Sequence, residues 1–86
     1  MIANPNGMDE ALAGEIRAEL ARRKIQVKKL AAQIGMSREV LSNRVNGSVP
    51  FTAAELTKVA NTIGISPVVL MQRAEQAAQD AKQQVA

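Results

Sequence analysis

LAAQIGMSREVLSNRVNG, residues 30–47, decides the fold of this chain, because it predicts two short helices joined by a three-residue turn. Apolar residues share one face of the first helix: Leu30, Ala31 and Ile34. Gly35 supplies the left-handed conformation that commonly ends such a helix. Ser37 can then cap the second helix by accepting a hydrogen bond from its free amides.

The second helix of this unit divides into an apolar inner face and a polar outer face. The residues expected to face the first helix are Val40, Leu41 and Val45. The residues left for the outside are Arg38, Glu39, Ser42, Asn43 and Arg44. Guanidinium, carboxylate, hydroxyl and carboxamide groups on one exposed helix face have the chemistry needed to read base edges in the DNA major groove.

Basic residues are concentrated around the same unit. The 86-residue chain has a net charge of +3, but residues 20–50 carry seven basic residues against Glu39 alone. Residues 1–19 are net acidic, and residues 51–86 are balanced. A local excess of positive charge is typical of a nucleic-acid binder, although many basic faces are only solvated.

The composition argues against an enzyme. The chain has no cysteine and no histidine, which removes disulfides, the commonest metal ligand and the commonest general base. It also lacks a glycine-rich phosphate loop and a spaced pair of carboxylates on one face. We therefore expect no metal and no cofactor.

The sequence also predicts a protein that is neither exported nor inserted in a membrane. No run approaches the roughly 18 apolar residues that a membrane span requires. The first ten residues lack the basic and then apolar pattern of a signal peptide. We expect a cytoplasmic protein, in a bacterial cell or in the host of a phage.

Helix starts recur with one pattern along the chain. At each start an apolar residue precedes the cap and another follows five positions later, which is the hydrophobic staple. The staple pairs are Ile25 and Leu30, Met36 and Leu41, Phe51 and Leu56, and Ile65 and Leu70. The caps are Gln26, which is not a favoured cap, Ser37, Thr52, which forms a capping box with Glu55, and Ser66. With a first helix at about residues 8–24, this predicts an all-α chain of five helices.

Three segments follow from this pattern. We expect a flexible leader at residues 1–8, a helix-turn-helix domain at residues 9–72, and a helical extension or tail at residues 73–86. A 4-3-4-3 spacing continues into the last segment through Leu70, Ala74, Ala77, Ala81 and Gln84. A narrow alanine-rich seam would suit a homodimer contact, and the alternative is a tail that frays in solution.

Three motifs in this order resemble the lambda-repressor/Cro-like (XRE) helix-turn-helix family. They are the Leu-Ala-x-x-Ile-Gly-Met-Ser of residues 30–37, the Asn46-Gly47 pair, and the Leu-x-x-Val-Ala-x-x-Ile-Gly-Ile-Ser of residues 56–66. The resemblance extends from about residue 12 to residue 70. It implies a five-helix lambda-repressor-like domain, here with an extended C-terminal helix, whose third helix at residues 37–46 lies in the major groove.

The resemblance also implies a set of DNA contacts. The base-contacting candidates are Arg38, Glu39, Ser42 and Asn43. The phosphate-contacting candidates are Gln26, Lys28, Gln33, Ser37, Arg44, Asn46, Gly47 and Ser48. The chain departs from the family pattern at three places, one of them Arg44, which stands where an aromatic or aliphatic residue is common. Gln26 and Val27 stand where a Ser or Thr cap and a Gln are common, and Leu20 and Val45 stand where an Arg–Glu pair is common.

The function implied is that of a sequence-specific regulator of transcription that binds double-stranded DNA. A phage-type immunity repressor, acting as a homodimer on a palindromic operator, is the reading we favour. An antitoxin-type or protein-interaction module, with the C-terminal tail bound to a protein partner, is the alternative. Weak or absent salt dependence of DNA binding would favour that alternative.

Overall fold

The computed structural model describes residues 7–84, which form five α-helices. They are α1 (Gly7–Arg22), α2 (Val27–Ile34), α3 (Arg38–Val45), α4 (Ala53–Ile63) and α5 (Pro67–Gln84). No strand is present within the described range, so the all-α, five-helix prediction is confirmed. Residues 1–6 of the expected leader lie outside the described residues, whereas Gly7 and Met8 belong to α1.

The helix ends follow from local chemistry, as the sequence pattern predicted. Gly35 and Gly64 adopt φ values of 73° and 86°, and each donates its amide to a carbonyl of the preceding helix. The Ser37 hydroxyl accepts a hydrogen bond from the amide of Val40 at 3.1 Å. Gln26 stands at the start of α2 without a side-chain hydrogen bond to the helix, as expected of a poor cap.

The capping box of α4 is present in full. The Thr52 hydroxyl accepts from the amide of Glu55 at 3.1 Å, and the Glu55 carboxylate accepts from the amide of Thr52 at 2.9 Å. Two amides that would otherwise lack partners at the helix start are therefore bonded. The direction of the α4 start is fixed by this reciprocal pair.

One hydrophobic core joins the five helices. Its largest completely buried side chains are Ile16, Leu30, Leu41, Val59 and Leu70. The apolar residues that precede the helix starts pack against this core while staying partly exposed: Ile25, Met36, Phe51 and Ile65. Both members of each predicted staple pair thus lie in or against the same core, as a hydrophobic staple requires.

The C-terminal helix is part of the domain core for at least its first two turns. α5 packs mainly against α1, and Leu70 and Ala74 are completely buried within the protomer. Ala77 is half-buried and Ala81 is exposed. The expectation that Leu70 and Ala74 line a homodimer seam is therefore wrong. α5 packs mainly against α1 of the same chain, and these two residues are already buried there. The side chain of Gln84 lies outside the described residues.

A buried carboxylate links α1 to α5. Glu19 is 4% exposed and accepts from Arg23 Nε at 3.0 Å and from Arg73 Nη1 at 2.8 Å. Arg22 pairs with the same carboxylate, and Arg23 Nη1 also donates to the carbonyl oxygen of Ile63 at the end of α4. We call Glu19, Arg22, Arg23 and Arg73 the Glu19 cluster. It ties three helices together through charge-assisted hydrogen bonds.

No helix within residues 7–84 combines the length and the apolar character needed to cross a membrane.

Candidate nucleic-acid interface

Helix α3 is held on its inner side by apolar packing against α2 and α1. Leu41 is completely buried and Val45 nearly so, as predicted. Val40 is 38% exposed, so the expectation that it faces the first helix of the pair is wrong. With only eight residues, α3 presents two inward positions on successive turns, and Val40 lies at the edge between the faces.

The outer face of α3 carries the polar residues that the sequence singled out. Arg38, Glu39 and Asn43 are exposed, and Ser42 is half-buried. These four side chains line one shallow, open depression together with Asn46. Among the described residues, none of the four makes a side-chain hydrogen bond or ion pair. They are available to a ligand.

Arg44 does not belong to that outer face. Its Nε and Nη2 atoms lie 3.1 and 3.3 Å from the two carboxylate oxygens of Glu55 on α4. The side chains are only 18% and 21% exposed. The Arg44 guanidinium, followed by the Thr52 amide, holds the pKa of Glu55 below its usual range. The expectation that Arg44 faces outward is wrong, because a carboxylate eleven residues away takes up its guanidinium.

The loop after α3 uses most of its own donors. The Gly47 amide donates to the Arg44 carbonyl at 3.2 Å, and the Ser48 amide donates to the Asn43 carbonyl at 3.0 Å. Asn46 Oδ1 accepts from the Ser48 amide at 2.9 Å. The two amides predicted to hold phosphate are therefore bonded within the chain. The Asn46 NH₂ group and the Ser48 hydroxyl are the donors that this exposed loop can offer directly.

The remaining predicted phosphate contacts lie on the surface around the turn. Gln26, Lys28, Gln33 and Ser37 are all exposed. The first turn of α2 contains no acidic residue and no side-chain cap, so the positive end of its dipole is not offset there, and Lys28 adds a further positive charge. Ser37 uses its hydroxyl as a cap acceptor, which leaves the hydroxyl hydrogen as its donor.

The basic residues of the 20–50 zone are divided in the structure between ion-paired and unpaired groups. Arg22 and Arg23 are turned to Glu19, and Arg44 is turned to Glu55. The basic residues of this zone without an ion-pair partner among the described residues are Lys24, Lys28, Lys29 and Arg38. Glu19 offsets only one of the guanidinium charges that converge on it, so the Glu19 cluster stays net positive beside these unpaired groups.

Two contacts to α3 were missed by the sequence reasoning. Arg17 of α1 donates from Nη1 to the carbonyl oxygen of Val45 at 2.7 Å, at the negative end of the α3 dipole. The second missed contact is the ion pair between Arg44 and Glu55, which lie on opposite sides of the loop between α3 and α4. The sequence pattern assigns Glu55 only to a capping box. No local spacing signals either contact, whereas the pairs from Glu19 to Arg22 and Arg23 follow the i, i+3 and i, i+4 rule of helices.

No cluster of His, Cys, Asp and Glu that could hold a metal ion occurs among residues 7–84.

Solved structures of another protein have the same fold as this chain. A crystal structure of the clp gene regulator ClgR from Corynebacterium glutamicum is 22% identical, with 91% of this chain and 85% of that chain covered and a TM-score of 0.81. A second ClgR structure is 23% identical, with coverage of 81% and 91% and a TM-score of 0.76. At these identities the likeness establishes the fold. No curated protein gives a significant match in sequence.

The family assignment rests on the sequence itself. The model of the family described as Helix-turn-helix matches residues 16–70, which begin within α1 and end within the first turn of α5. The match includes α2, the Gly35 turn and the whole of α3. This chain therefore belongs to the XRE-type helix-turn-helix family of DNA-binding transcription regulators.

Proposed function

We propose that this protein is a sequence-specific repressor of the phage type that inserts α3 into the major groove of double-stranded DNA. The observation that carries the proposal is the outer face of α3. Three of its four polar side chains are exposed and Ser42 is half-buried, and all four lack partners among the described residues, although neighbouring charged groups on the same helix and on α1 are paired. A surface of this kind on a firmly packed helix is suited to reading base edges.

Each residue of that face has a distinct proposed role. The Arg38 guanidinium can donate two hydrogen bonds to O6 and N7 of guanine, and the Asn43 carboxamide can bond N6 and N7 of adenine. The Glu39 carboxylate can accept from N4 of cytosine, and the Ser42 hydroxyl can donate or accept at a neighbouring base. Arg38 and Asn43 are five residues apart, so they would contact different base pairs.

A second set of residues would fix the register of the domain on the phosphate backbone without reading sequence. These residues are Gln26, Lys28, Gln33, Ser37, Asn46, Gly47 and Ser48. Support for the first part of this set comes from the uncapped, positively flanked start of α2. At Gly47 and Ser48 the amides would have to share their internal hydrogen bonds with a phosphate oxygen.

We further propose that two copies act on a palindromic operator in the cytoplasm of a bacterium or phage host. One eight-residue recognition helix reaches only a few base pairs, so a two-fold arrangement doubles the sequence that is read. The part of α5 beyond Ala74 is the candidate for contact between copies, because Ala81 is exposed there. Operator occupancy by such a domain would block transcription by exclusion.

Selection of bound duplexes from a random DNA library, at about 150 mM salt, tests this proposal. Two similar half-sites related by a two-fold axis and about one helical turn apart would support a dimeric reader of the major groove. A single enriched half-site would contradict the proposed dimer but would still support sequence-specific binding through the major groove. No enrichment over input would refute sequence-specific binding and favour the antitoxin-type or protein-interaction alternative.

A reporter promoter carrying the selected site tests the sign of regulation. Repression predicts lower expression when the protein is supplied, and an Arg38→Ala variant that is equally abundant should restore expression. Increased expression from the same promoter would contradict the repressor assignment while leaving DNA recognition intact.

A further inference from the structure

The ion pair between Arg44 and Glu55 joins the recognition helix to a helix on which it hardly packs. α3 lies mainly against α2 and α1, whereas α4 lies mainly against α2 and α5. The guanidinium of Arg44 meets the carboxylate of Glu55 through two roughly parallel hydrogen bonds, of 3.1 and 3.3 Å. A two-point contact of this type fixes direction as well as distance, because the fork of one group matches that of the other.

The carboxylate end of this pair is itself immobilised. Glu55 Oε1 also accepts the amide of Thr52 at 2.9 Å, and the Thr52 hydroxyl accepts the amide of Glu55 at 3.1 Å. The carboxylate is therefore held at the first turn of α4 by bonds that do not involve Arg44. Exposed ion pairs between two mobile side chains contribute little, but a pair with one end fixed and both ends four-fifths buried restrains its partner helix.

The position of Arg44 within α3 makes that restraint relevant to the outer face. Arg44 directly follows Asn43, which lines the polar depression, and precedes Val45, which is buried in the core. Rotation of α3 about its axis would carry Asn43 and Arg38 sideways and would pull Arg44 away from Glu55. The contact from Arg17 Nη1 to the Val45 carbonyl oxygen holds the C-terminal end of the same helix.

We propose that Arg44 is a positioning residue: through Glu55 it fixes the rotation of α3, and it does not act as a phosphate contact. This inference rests on the proposed function, since it concerns how α3 presents its outer face to DNA. Arg44 and Glu55 together are neutral, so the pair adds little to the attraction of the domain for phosphate. It acts on the choice of sequence.

Binding measurements on two duplexes separate the two roles of Arg44. One duplex carries the site selected from the library, and the other carries the same bases in scrambled order. The affinities of wild type, Arg44→Met, Arg44→Lys and Glu55→Gln are measured by fluorescence anisotropy over a range of salt concentrations. Glu55→Gln keeps a residue that can complete the capping box, so the start of α4 is preserved. Lys58→Met, an exposed site on α4, is the charge-matched control.

For Arg44→Met we expect a loss of roughly 3- to 30-fold on the selected duplex and a change within about 2-fold on the scrambled duplex. The slope of log affinity against log salt concentration should stay at the wild-type value. Arg44→Lys should behave like Arg44→Met, because an ammonium cannot make the two-point contact. Glu55→Gln should also lose selectivity, while its affinity for the scrambled duplex stays level or rises as the Arg44 charge is released.

A phosphate contact gives the opposite pattern. Arg44→Met would then weaken both duplexes alike and lower the salt slope by about one, and Arg44→Lys would restore most of the affinity. That result would overturn the positioning role and leave the proposed function standing. Equal binding of both duplexes by the wild-type protein would refute the proposed function and the role of Arg44 with it. Far-ultraviolet circular dichroism at the assay temperature ensures that only folded variants are compared.

Discussion

The Glu19 cluster and the outer face of α3 are both rich in charge, yet they relate to the rest of the molecule in opposite ways. Around Glu19, three guanidinium groups converge on one buried carboxylate, which lies 2.8 Å from Arg73 Nη1 and 3.0 Å from Arg23 Nε. On α3, Arg38 and Glu39 are exposed, and their side chains find no partner among the described residues.

This small domain uses some of its polar groups to hold the fold and leaves others open to a ligand. A buried carboxylate is tolerated only when several donors replace its hydration, and the cluster provides them from Arg23, just after α1, and from Arg73 on α5. The exposed groups of α3 have no hydrogen-bond or ion-pair partner within the described part of the chain, so they stay open to a ligand. The Arg44–Glu55 pair stands between the two cases, since it is internal but adjoins the proposed reading surface.

Replacement of the buried carboxylate should have the largest effect on stability. Glu19→Gln removes the charge that holds three guanidinium groups, and we expect the free energy of unfolding to fall by about 2 kcal/mol. Urea denaturation followed by circular dichroism measures it. Glu39→Gln is the matched control on the outer face of α3 and should change stability by less than about 0.5 kcal/mol. Equal losses in the two variants would break the comparison.

Removal of an outer-face charge should show the reverse pattern. Arg38→Ala should weaken binding to the selected operator by about 1–3 kcal/mol and relax the choice of one base pair, with little change in urea stability. Isothermal or anisotropy titrations with single-base operator variants measure both effects. Arg73→Ala, which removes a charge of the same sign from the Glu19 cluster, should leave base preference unchanged. An equal loss for Arg38→Ala on random DNA would mean that Arg38 contacts phosphate only.

Acidification should affect the two paired carboxylates, Glu19 and Glu55. The Arg23 hydrogen bond lowers the pKa of Glu19, and the Arg44 hydrogen bond lowers that of Glu55, from an ordinary value of 4.5. Because both folded-state pKa values are depressed, their stabilising contribution is complete above about pH 4.5 and is lost as the pH falls through the lower folded values. Wild-type stability should therefore decline below that pH, and Glu19→Gln should show a shallower decline. Parallel curves for the two proteins would contradict the proposed stabilising role.

The smallest expected effect is on stability alone and comes from a glycine inside α1. Gly14 lies inside α1, and a Cβ atom added there would meet only Arg17 Nη2, at an ordinary contact distance of 3.5 Å. Gly14→Ala should therefore raise the free energy of unfolding by about 0.5–1 kcal/mol, because alanine loses less backbone entropy in a helix. DNA affinity should not change. A loss of stability would contradict this expectation and show that a Cβ atom at position 14 is not accommodated without strain.

The sequence by itself determined the helices, their order and most of their ends. The hydrogen bonds made by Gly35, by Ser37 and within the Thr52–Glu55 capping box each join residues no more than four positions apart, and the two residues of each staple are five positions apart. Interactions this local are encoded directly in residue spacing. For the same reason the exposure of Arg38, Glu39 and Asn43 could be predicted, whereas their contacts with DNA bases stay predictions.

The tertiary structure alone decided how polar groups are paired between helices. Arg73 reaches Glu19 across 54 residues, and Arg44 finds Glu55 across a loop, so neither pairing has a signature in local spacing. Val40 and Ala74 were misplaced for a related reason, because periodicity gives the apolar side of a helix but not which neighbour covers it. The angle at which each helix lies on the core settles that question, and it depends on all five helices together.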